Sequence, residues 1–150
     1  MRLILGMPFV LALVCTSIVA AEEPGLAEQL RGKWVLYRDT PQGRYKTVKE
    51  HEADRTVVTT YDPAGKPIHS HRSEFRIDER GSAPVFRYRN KIILIGPNAG
   101  AKDDRESAYL FRLDGNRLFE VDGMLPGDKG EPSLKIWERM KDAPVEPEAK

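Results

Sequence analysis

The chain has 150 residues, a single cysteine and a formal net charge of +1, with 24 Lys and Arg against 23 Asp and Glu. The two signs are interleaved along the sequence, which leaves no basic field to hold nucleic acid or anionic lipid. A lone cysteine excludes an internal disulfide framework, and a chain of this size supports one hydrophobic core rather than two.

Met1-Arg2 is followed by an apolar run from Leu3 to Val14 and then by Ser17-Ile18-Val19-Ala20-Ala21, the pattern of a secretory signal peptide. The run is too short to span a bilayer comfortably. Val19 and Ala21 are residues of the kind a signal peptidase prefers before its cut, so cleavage is expected after Ala21. The expectation is a leader over residues 1–21 and an exported domain over residues 22–141, periplasmic or secreted, with no stable membrane insertion after cleavage. Cys15 would leave with the leader, and the mature protein would have no thiol for disulfides, metal ligation or nucleophilic catalysis.

Between Glu22 and Arg31 a brief helix is expected, with Pro24 in its first turn, Leu26, Ala27 and Leu30 on one face, and Gly32 as its stop. Beyond it no helix-length apolar periodicity occurs. Instead, Lys33 to Thr40, Tyr45 to His51, Thr56 to Tyr61, Pro67 to Ile77, Val85 to Arg89, Lys91 to Ile95, Ser107 to Leu113, Arg117 to Val121 and Leu134 to Met140 are rich in β-branched and aromatic residues and read as strands. Asp62-Pro63-Ala64-Gly65 and Asp114-Gly115-Asn116 carry turn chemistry, which makes the strands they join antiparallel neighbours. The fold class predicted is all-β: a small up-and-down antiparallel barrel of 8 to 9 strands with a short N-terminal helix. Closure is favoured over a sandwich because a meander of hairpins removes its own edges only by closing on itself. The loops from Gly96 to Glu106 and from Gly123 to Pro132 are the expected rims. The tail over residues 142–150 has Pro144, Pro147 and several charges but little to dock it, and is expected to be disordered.

Leu30-x-Gly32-x-Trp34 opens the first strand and Trp137-x-Arg139 lies in the last. In a closed barrel these strands meet, so the Arg139 side chain would cover Trp34 and plug one end. Gly-x-Trp on the first strand with Arg on the last resembles the signature of lipocalin-type, calycin-like β-barrels. Tyr109-Leu110-Phe111-Arg112-Leu113-Asp114-Gly115-Asn116-Arg117-Leu118, followed by Leu134-Lys135-Ile136-Trp137-Glu138-Arg139, resembles the lipocalin-like domain family of small exported planctomycete proteins. The resemblance covers about Leu26 to Lys141. It implies an antiparallel barrel, in which Gly32, Trp34 and Arg139 serve closure, and it implies no catalytic residues. Lys91 to Ala101 shows no motif of that family.

Strand parity supplies the candidate binding residues, because alternate residues face opposite sides of a sheet. In Pro67 to Ile77 the charged residues Arg72, Glu74, Arg76 and Asp78 share one face, which must be outside. His69 and His71 then point inward with Ser73, Phe75 and Ile77, about 7 Å apart at the backbone. Two imidazoles so placed can ligate a metal or hydrogen-bond a ligand. A third metal ligand would have to come from His51, Glu50 or Glu52, and nothing in the spacing demands it, so neither metal nor cofactor is expected. Tyr45, Tyr61, Phe86, Tyr88, Tyr109, Phe111 and Phe119 either line an interior or fill it.

No Gly-x-Ser-x-Gly, His-Glu-x-x-His, phosphate-cradling glycine loop or calcium-loop pattern occurs. The expected function is therefore a non-catalytic extracytoplasmic barrel that binds a small hydrophobic or amphipathic molecule through His69, His71, Tyr61, Tyr88 and Tyr109. One alternative is a structural or interaction module of the cell envelope with a filled barrel. Another is a metal-dependent hydrolase or isomerase using His51, His69 and His71.

Overall fold

The computed structural model describes residues 24–141. The expected leader and the expected disordered tail lie outside these residues. One helix, α1 (Leu26–Leu30), precedes nine strands: β1 (Gly32–Thr40), β2 (Gly43–His51), β3 (Arg55–Tyr61), β4 (Pro67–Asp78), β5 (Val85–Ile95), β6 (Lys102–Asp103), β7 (Ser107–Asp114), β8 (Arg117–Asp122) and β9 (Ser133–Arg139). Pro24 lies ahead of the helix rather than in its first turn, because Gly25 takes the capping position.

The strands form one sheet in the order β4-β3-β2-β1-β9-β8-β7-β5-β6, and an additional β4–β5 pairing closes it. Every pairing is antiparallel. β6 pairs only with β5, at Lys91 and Ile92, so it sits beside a closed ring of the other eight strands. The all-β barrel expected from strand and turn chemistry is the one the chain forms.

The region without a recognisable motif departs from the expected strand list. Val85 to Arg89 and Lys91 to Ile95 are one continuous strand, bent at Asn90, whose φ is 54°. The first half of β5 pairs with β7 from Val85 to Tyr88, and the second half passes to β6. The bend allows one strand to serve two neighbours. β6 itself falls within the segment expected to be a loop.

Turn chemistry explains the hairpins. The Asp62 carboxylate accepts from the backbone N–H of Ala64 (3.0 Å) and of Lys66 (2.8 Å), and Gly65 takes the positive φ of 81° that the turn requires.

The buried core, Leu30, Trp34, Phe86, Tyr109, Phe111, Leu118 and Trp137, gathers toward the end of the barrel where α1 enters β1. A helix end leaves carbonyls without partners, and here side chains of the barrel supply them. Trp34, fully buried, donates its indole N–H to the Leu30 carbonyl at 2.8 Å. Arg139, register partner of Trp34 across the β1–β9 seam, places its guanidinium 4.1 Å from the centre of the Trp34 ring. The same guanidinium donates to the Arg31 carbonyl at 2.8 Å and to the Gln29 carbonyl. Gly32, at φ 103°, turns the chain from helix to strand beside this group.

Replacing Arg139 by Ala removes two charged hydrogen bonds and a cation–π contact, and should lower unfolding stability by about 2–4 kcal/mol in urea titrations. Arg139→Lys should recover less than half of that loss, because an ammonium cannot reproduce the planar fork that meets two carbonyls while covering a ring.

Candidate functional site

The inner face of the barrel changes character along its axis. Near α1 it is packed solid. Phe86 stacks on Tyr109 with ring centres 4.8 Å apart and on Phe75 at 4.7 Å, and the His51 ring packs against Phe75 and Phe86. Toward the β1–β2 turn the interior is not filled, leaving a cavity of about 320 Å³. The filled-barrel alternative therefore describes only one end, since Phe86, Tyr109 and Trp137 both belong to the core and line the space above it.

The cavity wall divides by strand. β2, β3 and β4 contribute Thr47, Thr56, Val58, Thr60, His71 and Ser73, mostly small and hydroxyl-bearing, together with Lys49 of β2. β5, β7, β8 and β9 contribute Phe86, Tyr88, Tyr109, Glu120, Asp122, Lys135 and Trp137, an aromatic and charged wall. Leu36 and Arg38 of β1 join the two. The in-register pairs Thr56 with Ser73 and Val58 with His71 build the first wall, and Thr60, whose register partner is His69, continues it. The Thr56 and Ser73 hydroxyls are buried without a protein hydrogen-bond partner among the described residues.

Between core and cavity lies a transverse tie. Lys49 of β2 reaches across the barrel to contact the Glu120 carboxylate of β8 and to donate to the Tyr109 hydroxyl of β7 at 3.2 Å. Its ammonium nitrogen is also 4.4 Å from the centre of the Trp137 ring. Lys49 and Glu120 are 6% and 1% exposed, so the pair is removed from water. Burial pushes the Lys49 pKa well below the usual lysine range, with Lys135 adding to the effect and Asp122 opposing it. Burial likewise raises the Tyr109 phenol, keeping it protonated. A second pair, Lys135 to Asp122 at 2.6 Å, lies half-exposed on the neighbouring strands.

The three histidines do not assemble. His71 lines the cavity, and His69 stands beside it at the rim, with His71 Nδ1 and His69 Nε2 3.4 Å apart. Burial, then His69, then nearby lysines hold the His71 pKa down at about 4. His51 instead lies in the packed end, 2% exposed, with neither ring nitrogen hydrogen-bonded among the described residues. Desolvation lowers its pKa to about 3, with smaller contributions from Lys49 and Arg139. No group of three or more His, Cys, Asp or Glu able to hold a metal occurs among the described residues.

The expected tyrosines divide as well. Tyr88 and Tyr109 line the cavity. Tyr61 does not: it pairs with Lys46 on the outer face, where the Lys46 ammonium lies 5.6 Å from its ring centre, and the strand is irregular between Thr60 and Tyr61. Phe119 also points outward, because on β8 the buried alternate positions are Leu118 and Glu120. Sequence reasoning missed Lys49, Glu120, Asp122 and Lys135. The signal for Lys49 was available, since it alternates with Thr47 and His51 on β2. For β8 and β9 the pattern misleads, because apolar Phe119, Val121, Leu134 and Ile136 face outward while charged residues face in; Leu134 is 59% exposed.

The described residues thus define a small closed antiparallel β-barrel, plugged at one end, with an amphipathic internal cavity. No protein-family model matches the chain, and no curated protein matches it in sequence.

Two outcomes follow from the buried charges. Lys49→Met or Glu120→Leu alone strands the other charge and should cost about 3–5 kcal/mol in chemical denaturation, whereas the double variant should recover most of the loss. Unfolded His51 titrates near its ordinary value of 6.5 but folded His51 only at about 3, so the unfolded chain binds more protons between these values. Stability is therefore lost as pH falls through that window. His51→Leu should flatten the decline and, at pH 5, exceed the natural chain by about 2 kcal/mol in urea titrations.

Proposed function

We propose that the protein is a non-catalytic, exported barrel that holds a small, partly apolar molecule in its cavity, a lipocalin-like carrier in architecture. The observation that carries this reading is the cavity of about 320 Å³ above the Lys49–Glu120 tie. Its size lies at the lower end of small-molecule sites, which run from about 300 to 1,000 Å³. Aromatic faces on one wall offer apolar contact, and hydroxyls with His71 on the other offer directional hydrogen bonds. A molecule with one flat apolar side and a few polar atoms suits such a lining. The apolar leader pattern from Leu3 to Ala21 supports export.

The lining supports binding rather than hydrolysis. His71 faces His69, and among the described residues no base is hydrogen-bonded to the Ser73 hydroxyl to activate it. His71 on the cavity lining, with His69 beside it on the same face of β4, supports a role for the two histidines near the entrance.

Native mass spectrometry of the untagged protein, purified gently from its own host, should show an extra mass that disappears on denaturation. Val58→Trp, which puts a large ring into the cavity wall, should abolish that mass while leaving the far-ultraviolet circular dichroism unchanged. A bare mass together with no thermal shift from a library of small aromatic and amphipathic compounds would sink the proposal.

A further inference from the structure

Among the described residues Lys49 is the buried lysine, and it is also one of the residues that line the cavity. Holding the barrel together does not require it, since a buried ion pair is commonly matched or bettered by apolar residues of similar volume. The nitrogen is in contact with a carboxylate, within hydrogen-bond distance of the Tyr109 hydroxyl, and bounded by the Trp137 and Tyr109 rings. An amine, a proton-transfer group at contact, and a hydroxyl, all on the floor of a space with aromatic walls, are the parts needed to condense with a carbonyl.

Taking the cavity as the binding site described above, we propose that Lys49 captures small aromatic or unsaturated aldehydes as a protonated imine whose counterion is Glu120. The reaction begins as Glu120, in contact with the Lys49 ammonium, takes one of its protons, a transfer that desolvation of the ammonium favours. The amine lone pair attacks the carbonyl carbon, and the carbonyl π pair moves to oxygen, which takes the proton from Glu120. Glu120 then removes a proton from the nitrogen and gives it to the new hydroxyl, which leaves as water as the C=N bond forms. The products are water, an iminium on Lys49 and an ionised Glu120. Total charge is unchanged, no oxidant or reductant takes part, and the ion pair across the barrel is kept. The Tyr109 hydroxyl is placed to hydrogen-bond the oxygen during addition, and the aromatic wall selects a flat apolar body behind the aldehyde.

The test incubates the mature protein with cinnamaldehyde, reduces with sodium borohydride, and measures intact mass and peptide masses. Cinnamyl alcohol, which has the same body but no electrophile, is titrated in parallel by quenching of tryptophan fluorescence, Trp137 being on the cavity wall. The expected result is one adduct per chain, at Lys49, with the mass of the aldehyde less one oxygen, suppressed by cinnamyl alcohol. Glu120→Gln, which keeps a polar group beside Lys49, should slow adduct formation by about a hundredfold or more. Because the mapping is done on the natural chain, it does not depend on that variant folding. Binding of cinnamyl alcohol without an adduct, or with adducts only on exposed lysines, overturns the imine and leaves the binding cavity standing. If neither compound binds, the imine falls, and the cavity reading is decided by the native-mass and thermal-shift measurements above.

Discussion

The β1–β9 seam has two register pairs, Trp34 with Arg139 and Val35 with Glu138, against nine between β1 and β2. A meander without that seam is an open sheet with two exposed edges, and everything inside it is wet. Arg139 reinforces the seam by reaching past its own backbone pair to carbonyls of α1 and to the face of Trp34. One side chain thereby joins the first strand, the last strand and the helix that covers the end. The core beneath the cavity is buried because this closure holds.

Closure also explains how charge comes to lie inside. Across an open sheet Lys49 and Glu120 would sit on well-separated strands, with no reason to meet. In the ring they face each other over the interior, close enough for direct contact, and the aromatic column of Phe75, Phe86 and Tyr109 excludes water from beneath. The tie is costly in desolvation and helpful in pairing, so its net stabilisation is small next to its effect on shape. It marks where packing stops and cavity begins. Above it, small residues on three strands face aromatic residues across the axis, and that mismatch in volume leaves the space unfilled.

Much of the architecture was legible before any coordinates. The turn at Asp62 to Gly65, the hairpin at Gly115 and Asn116, and the alternation in β4 each depend on interactions within a few residues, and all appear where local chemistry put them. The inward face of β4 was readable because Arg72, Glu74 and Arg76 leave only one acceptable orientation. The continuous β5 was not readable, since the bend at Asn90 serves two partner strands at once and has no purpose until both are in place. The same limit applies to Tyr61, whose exclusion from the cavity follows from its partner Lys46 and a local irregularity rather than from its own chemistry.

By itself the sequence determined the all-β class, most of the strands and the hairpin turns that make neighbours antiparallel, because backbone preference, turn residues and period-two alternation act over short stretches of chain. Alternation says which residues share a face and is silent on which face is inside. On β4 charge answered that question. On β8 and β9 only ring closure did, turning Glu120, Asp122 and Lys135 inward and leaving Leu134 and Ile136 exposed, against the order that hydrophobicity alone would assign. The orientation of those strands is shared with every other strand in a closed ring, and a barrel has one register that satisfies all its seams together.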